Sequence, residues 1–195
     1  MNLPNKLTMF RIFCMPLVVI FFYFKLFILA AAVFIIASIT DFLDGKIARK
    51  NNLVTVFGKF VDPLADKLIN LASIVILAAN IMENYPKWYG IIAVVSAVTI
   101  VSREMIITSF RALAANEGVV IAADKMGKIK TATQDVAIVA MFLDESEMLN
   151  FLFIGELIHW TAVVALCAAL ILTILSGINY FLSNKELVEK IGKDI

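Results

Sequence analysis

Apolar residues run with little interruption through stretches near 5–24, 26–49, 59–82, 88–115, 127–143 and 149–182. The runs are continuous rather than alternating, so they predict helices and not strands. About 20 apolar residues cross a hydrocarbon core, and backbone groups in lipid must find partners within helices or closed barrels. The expected fold is an all-α integral membrane bundle of six transmembrane helices. It forms one domain, 1–195, without an internal repeat.

The break between the first two runs is poorly announced. Only Lys25 divides them, with no Gly, Pro or Asn to mark a turn. The competing pattern is one helix through 12–40, about 43 Å long, against a core of roughly 30 Å. Basic residues favour the division, because Lys and Arg accumulate on the cytoplasmic side. With six spans and both termini cytoplasmic, 15 of the 17 basic residues face inward and only Lys25 and Lys87 face outward. Merging the first two runs sends 13 of the 17 outward. The first run lacks a small-residue cleavage pattern and reads as a retained helix rather than a signal peptide. The tail 187–195 reads as a short charged end.

Composition agrees with this picture. The chain is 62% hydrophobic and 17% charged, whereas soluble domains are about 25% charged. A net charge of +1 points to no nucleic-acid partner. Cys14 and Cys167 sit inside apolar runs and read as small buried hydrophobes, not as a disulfide or metal framework. His159 and Trp160 fall near the outer interface, and Gln134 and Asp135 carry no assignment.

Residues 41–66, "DFLDGKIARKNNLVTVFGKFVDPLAD", break the apolar pattern with four aspartates. Asp41 and Asp44 are three apart at the inner end of the second helix. Asp62 and Asp66 are four apart at the start of the third. Each pair therefore shares a helix face, and a short loop makes the two helices antiparallel neighbours. Carboxylates at membrane depth are costly and mark function, and several so close need a counter-charge. Hard oxygen donors suit two Mg²⁺ or Mn²⁺ ions, the arrangement used for displacement at phosphorus. Without Cys or His beside them, zinc is not expected. The plain alternative is a set of interfacial carboxylates paired with Lys46, Arg49, Lys59 and Lys67. Gly45 and Ala48 form a small-residue strip that either admits a flat ring or lets helices touch. Pro63 is expected in the first turn of its helix, where its missing N–H costs least.

The spacing Asp41-x2-Asp44-Gly45-x2-Ala48-Arg49-x8-Gly58-x3-Asp62-x3-Asp66 resembles the signature of the CDP-alcohol phosphotransferase family. The resemblance implies a six-helix membrane enzyme, commonly a homodimer. It would transfer a substituted phosphate from a CDP-linked donor to an alcohol, with CMP leaving. By position, Asp41, Asp44, Asp62 and Asp66 would hold two divalent cations, and Asp66 would be the general base. Gly45, Ala48, Arg49 and Gly58 would contact the CDP portion. Asn5, Thr8 and Arg11 of the first helix would bind cytidine and its phosphates.

"NLPNKLTMFR" (2–11), "REMIITSFR" (103–111) and "GKIKT" (127–131) look like one prokaryotic branch of that family. That branch joins CDP-diacylglycerol to sn-glycerol 3-phosphate in the cell membrane, with the site facing the cytoplasm, and makes phosphatidylglycerophosphate. Met105 stands where the branch often has Phe. Glycerol 3-phosphate is a small dianion, and Arg103, Arg111, Lys128 and Lys130 are the candidate phosphate ligands. Lys125 lies with them, and Glu104 is a candidate partner for one arginine. The plain alternative for these cations is contact with anionic lipid. Other acceptors keep the chemistry: inositol phosphate, serine or phosphatidylglycerol. A divalent-cation transporter is the reading from another class.

Overall fold

The computed structural model describes residues 3–50, 56–116, 119, 121, 125–146, 154–185 and 187–189; side chains are described among these except at 3–5, 41–50, 56–64, 66, 116 and 125. Among the described residues the chain is helical without strands. The elements are α1 (Leu3–Tyr23), α2 (Phe27–Lys50), α3 (Val56–Asn84), α4 (Lys87–Asn116), α5 (Lys125–Asp144) and α6 (Ile154–Ser183). Each apolar run of the sequence has become one helix.

The division at Lys25 is real, and the single helix through 12–40 does not form. Lys25 takes φ 58°. Its amide N–H donates to Phe22 O at 2.9 Å, and that of Leu26 donates to Phe21 O at 2.8 Å. These paired bonds are the Schellman closure of a helix C-terminus. Lysine fills the left-handed position that usually falls to glycine, so composition gave no warning. Two prolines lie inside helices. Pro16 interrupts α1. Because α3 begins at Val56, Pro63 is its eighth residue and not part of its first turn. Each removes one amide from the ladder and frees the carbonyl four residues earlier.

Contacts between helices close a ring in the order α1, α2, α5, α6, α4, α3, with α3 also reaching across to α5 and touching α2. The interior is built from small and medium side chains. Ala30, Ala31, Phe34 and Ala37 bury one face of α2, and Ala162, Leu166 and Ala169 bury one face of α6. Large apolar residues such as Phe13, Val98, Leu157 and Leu182 face outward. Small inside and large outside suits a bundle solvated by lipid, where helix association relies on close packing. Gly90 shows how close. A Cβ there would lie 2.8 Å from Met82 Cα, so only glycine lets α4 fold back on α3.

By length and composition, four helical segments can cross a membrane: Lys6–Tyr23, Lys67–Asn84, Lys87–Ala115 and Ile154–Ser183. The described side chains of α2 form a further apolar segment, Phe27–Thr40. Helix α5 is diluted by Lys128, Lys130, Gln134 and Asp135.

At the end of the bundle where α3 meets α4 and α5 meets α6, a polar and aromatic knot joins the turns. His159 Nδ1 lies 2.8 Å from Asp144 Oδ2. The Tyr85 ring stacks on the imidazole at 5.9 Å, and Tyr89 meets it edge-on at 5.3 Å. Trp160 and Trp88 are half exposed beside this knot, as in an interfacial aromatic belt. Burial raises the Asp144 carboxyl, while its hydrogen bond to His159 pulls the other way.

Next to it, Glu145 has an Oε1 without a hydrogen bond. Burial pushes its carboxyl up to about 7, the Asn80 side chain opposes this, and the Asp144 charge adds to it. An acid raised on folding stabilises the fold while protonated. That contribution is complete below its ordinary value of 4.5 and disappears as pH rises through about 7. The melting temperature of the detergent-solubilised protein should therefore fall between pH 5 and pH 8. Glu145→Gln should remove that slope, worth roughly 1–2 kcal/mol after solvent screening. An unchanged slope in Glu145→Gln would place the titration elsewhere.

Candidate active site

The signature residues lie on two helix ends. Asp41, Asp44, Gly45, Ala48 and Arg49 belong to the last turns of α2, and Gly58, Asp62 and Asp66 belong to the first turns of α3. Their side chains, like that of Asn5, lie outside the described ones. The backbone is helical through both segments. Positions 41 and 44 therefore share one face of α2, and positions 62 and 66 share one face of α3. The donor set remains four carboxylates, which fits hard divalent ions.

Helix α1 contributes from inside the bundle. Thr8, Arg11, Cys14 and Val18 form its buried face, and Arg11 is only 1% exposed. A buried guanidinium in an apolar helix is expensive to desolvate. Phe10, Phe13 and Leu17 occupy the opposite, exposed face.

The described part of the site centres on Glu104. Lys130 Nζ donates to its Oε1 at 2.9 Å, and Arg103 Nη1 donates to the same oxygen at 2.8 Å. Lys67 Nζ stands 3.4 Å from Oε2 and also donates to Thr108 Oγ1. Thr108 Oγ1 in turn donates to the Glu104 carbonyl at 2.6 Å. Arg103 Nη2 continues to Ser176 Oγ on α6 at 3.2 Å. One carboxylate thus gathers three cations from α3, α4 and α5, with Asp135 as a further negative charge acting on Lys130, and positive charge stays in excess. A space of about 20 Å³ opens beside it, lined by Asn70, Thr131 and Gln134 as well as the charged groups; that is about the size of one water.

The sequence candidates separate at this point. Arg103 and Lys130 are in the cluster. Arg111, two turns further along α4, is exposed, and its guanidinium carbon lies 5.5 Å from the centre of the Tyr180 ring. Lys128 is exposed and does not join the cluster; two residues from Lys130 along a helix is more than half a turn. Lys125 has its side chain outside the described ones.

Three contributors were not singled out from sequence. Lys67 was counted only as a possible counter-charge for the aspartates, although it directly follows Asp66. Ser176 and Tyr180 give no local signal, since their roles depend on α6 packing against α4. Gln134, unassigned from sequence, is buried at the cluster.

A second feature adjoins the motif. Ser38 and Ile39 of α2, Val136 and Val139 of α5, and Leu157 and Thr161 of α6 line an apolar groove of about 410 Å³. Among the described residues its α2 wall runs from Phe34 to Ile39. Asp135, also unassigned from sequence, borders it.

Known proteins share this chain's sequence over most of its length. It is 41% identical to a CDP-diacylglycerol–glycerol-3-phosphate 3-phosphatidyltransferase of Bacillus subtilis, over 95% of this chain and 96% of that protein. It is 36% identical to a protein of the same name from Rickettsia typhi, over 92% and 95% of the two chains. A Salmonella choleraesuis protein of that name is 37% identical over 70% and 74%. The family model described as CDP-alcohol phosphatidyltransferase matches residues 1–176. With the signature complete on α2 and α3, the chain belongs to the CDP-alcohol phosphatidyltransferase family.

Proposed function

We propose that this chain transfers the phosphatidyl group of CDP-diacylglycerol to sn-glycerol 3-phosphate, releasing CMP and forming phosphatidylglycerophosphate. The observation that carries the choice of acceptor is the convergence of Lys67, Arg103 and Lys130 on one carboxylate. A surplus of positive charge beside the helix that carries Asp66 suits a dianionic acceptor and is superfluous for serine. The names borne by the relatives point the same way.

The reading places six spans in a prokaryotic cell membrane, both termini and the site on the cytoplasmic side. The positive-inside distribution supports this, with Lys25 and Lys87 at the opposite end. Helix α5 is less apolar than the other spans because it carries Lys128, Lys130, Gln134 and Asp135. A homodimer is the assembly that the family implies.

Thr8 and Arg11, with Asn5, Gly45, Ala48, Arg49 and Gly58, would hold the CDP portion of the donor. One acyl chain would lie in the groove between α2, α5 and α6, so the donor never leaves lipid. Asp41, Asp44, Asp62 and Asp66 would hold two Mg²⁺ or Mn²⁺ ions, which supply charge neutralisation at the diphosphate. Arg103, Arg111, Lys128 and Lys130 would grip the acceptor phosphate, with Glu104 fixing the orientation of Arg103 and Lys130. Asp66 takes the proton of the acceptor's primary hydroxyl. That oxygen bonds to the phosphorus bearing diacylglycerol, and the bond from this phosphorus to the CMP oxygen breaks.

Three outcomes test the reading. Asp66→Asn should lower kcat about 10³-fold while leaving the melting temperature and donor binding near wild type; near-wild-type turnover would remove Asp66 from the base role. Glu104→Gln leaves buried cations unpaired, so stability should drop by roughly 3 kcal/mol. Saturating glycerol 3-phosphate should recover part of that loss by supplying the missing negative charge, and no recovery would separate the cluster from the acceptor. In an acceptor panel with CDP-diacylglycerol, CMP release should require glycerol 3-phosphate. Release with inositol phosphate alone would overturn the acceptor, and metal flux in proteoliposomes without donor would indicate a transporter.

A further inference from the structure

At the end of the bundle opposite the aspartate motif, the turn between α1 and α2 faces the end of α5 across an open pocket of about 480 Å³. Small-molecule sites occupy roughly 300–1,000 Å³. Leu26, Phe27 and Leu29 form an apolar wall, and Lys25, Glu145 and Ser146 supply the polar groups. Leu26 and Leu29 are about half exposed, so the wall continues onto the outer face of the bundle. Glu145 directly follows Asp144 of the polar knot, beside which Trp88 and Trp160 mark the level of the interface.

Two opposite charges border this pocket without meeting. Glu145 Oε1 is buried and has no hydrogen-bond partner among the described residues, so the Lys25 ammonium does not reach it. The Asn80 side chain hydrogen-bonds the carboxyl, and Asn80 Oδ1 itself accepts from Asn84 Nδ2 at 3.1 Å. Burial pushes this carboxyl up to about 7; a cation at Oε1 opposes that shift. Lys25 is exposed at φ 58°. Glycine would close that turn with less strain, so the cap itself gives no reason for a lysine. We propose that this pocket binds a phospholipid whose headgroup carries a primary ammonium beyond its phosphate. The ammonium donates to Glu145 Oε1, the phosphate meets Lys25 at the rim, and the acyl chains follow Leu26 and Leu29 into the surrounding lipid. Charge complementarity selects this occupant. An anionic headgroup would set its charge against the carboxylate, and a quaternary ammonium has no N–H to give Oε1. The bound headgroup braces the α1–α2 turn against the end of α5, far from the aspartates.

The test uses full-length, delipidated protein in detergent, titrated with phosphatidylethanolamine, phosphatidylcholine or phosphatidylglycerol of equal chain length. Bound lipid is counted by native mass spectrometry, and the melting temperature is followed in parallel. Wild type should bind phosphatidylethanolamine about tenfold tighter than phosphatidylcholine, the margin of a charge-assisted hydrogen bond, and should melt higher with it. Glu145→Gln should erase that preference. Lys25→Gly keeps the left-handed turn and removes the ammonium, so it should weaken both zwitterionic lipids alike and leave the preference between them. Equal affinity of wild type for the two overturns the proposal, as does a preference that survives in Glu145→Gln. If Lys25→Gly weakens phosphatidylglycerol and spares phosphatidylethanolamine, the occupant is an anionic lipid and the proposal falls.

Discussion

A lysine that is 1% exposed among apolar helices can keep its charge only because a carboxylate meets it. Lys130 has Glu104 at 2.9 Å, and much of the bundle is arranged around that necessity. Glu104 sits on α4, Lys130 on α5 and Lys67 on α3, while Arg103 carries the connection to Ser176 on α6. Three of the six helices therefore meet at Glu104, and Arg103 ties in a fourth. Desolvating three cations around a single anion is a poor way to gain stability, since the Coulombic return barely covers the cost of burial. What the arrangement gains is a fixed, electropositive wall beside the helix that carries the aspartate motif.

The two ends of the bundle solve the problem of polar groups at membrane depth differently. At the motif end, positive charge exceeds negative among the described side chains, and the excess is useful to an anionic substrate. At the other end, Asp144 and His159 pair and are enclosed by Tyr85 and Tyr89. That knot ties the turn after α3 to the turn after α5, with Glu145 Oε1 and the Tyr89 hydroxyl buried beside it without a hydrogen bond among the described residues. One end is built on a surplus of positive charge, and the other on a matched pair.

Sequence made some of this plain and hid the rest for definite reasons. Helices were legible because apolar runs need no tertiary information. The same-face aspartate pairs were legible because three- and four-residue spacings are local. The turn at Lys25 was not, since a lysine replaced the glycine that ordinarily marks a left-handed cap. Pro63 was placed in a first turn because the extension of α3 back to Val56 has no apolar signature. Glu104 was readable as a partner for one arginine. That it also gathers Lys67 and Lys130, 37 residues before it and 26 after it, depends on how α3, α4 and α5 pack.

Membrane character and site chemistry compete for the same residues. Among the described residues, helices α1, α3, α4 and α6 contain segments apolar enough to cross a bilayer and α2 is apolar over Phe27–Thr40, whereas α5 has no such segment. Helices α2 and α5 line the apolar groove together. One ends in the aspartates and the other begins with the lysines. Carboxylates or ammonium groups placed where lipid ends must shorten the apolar stretch that would otherwise identify the span. A weak span is thus a positional signal in its own right: α5, the least apolar of the helices, is the one that carries Lys130 into the bundle.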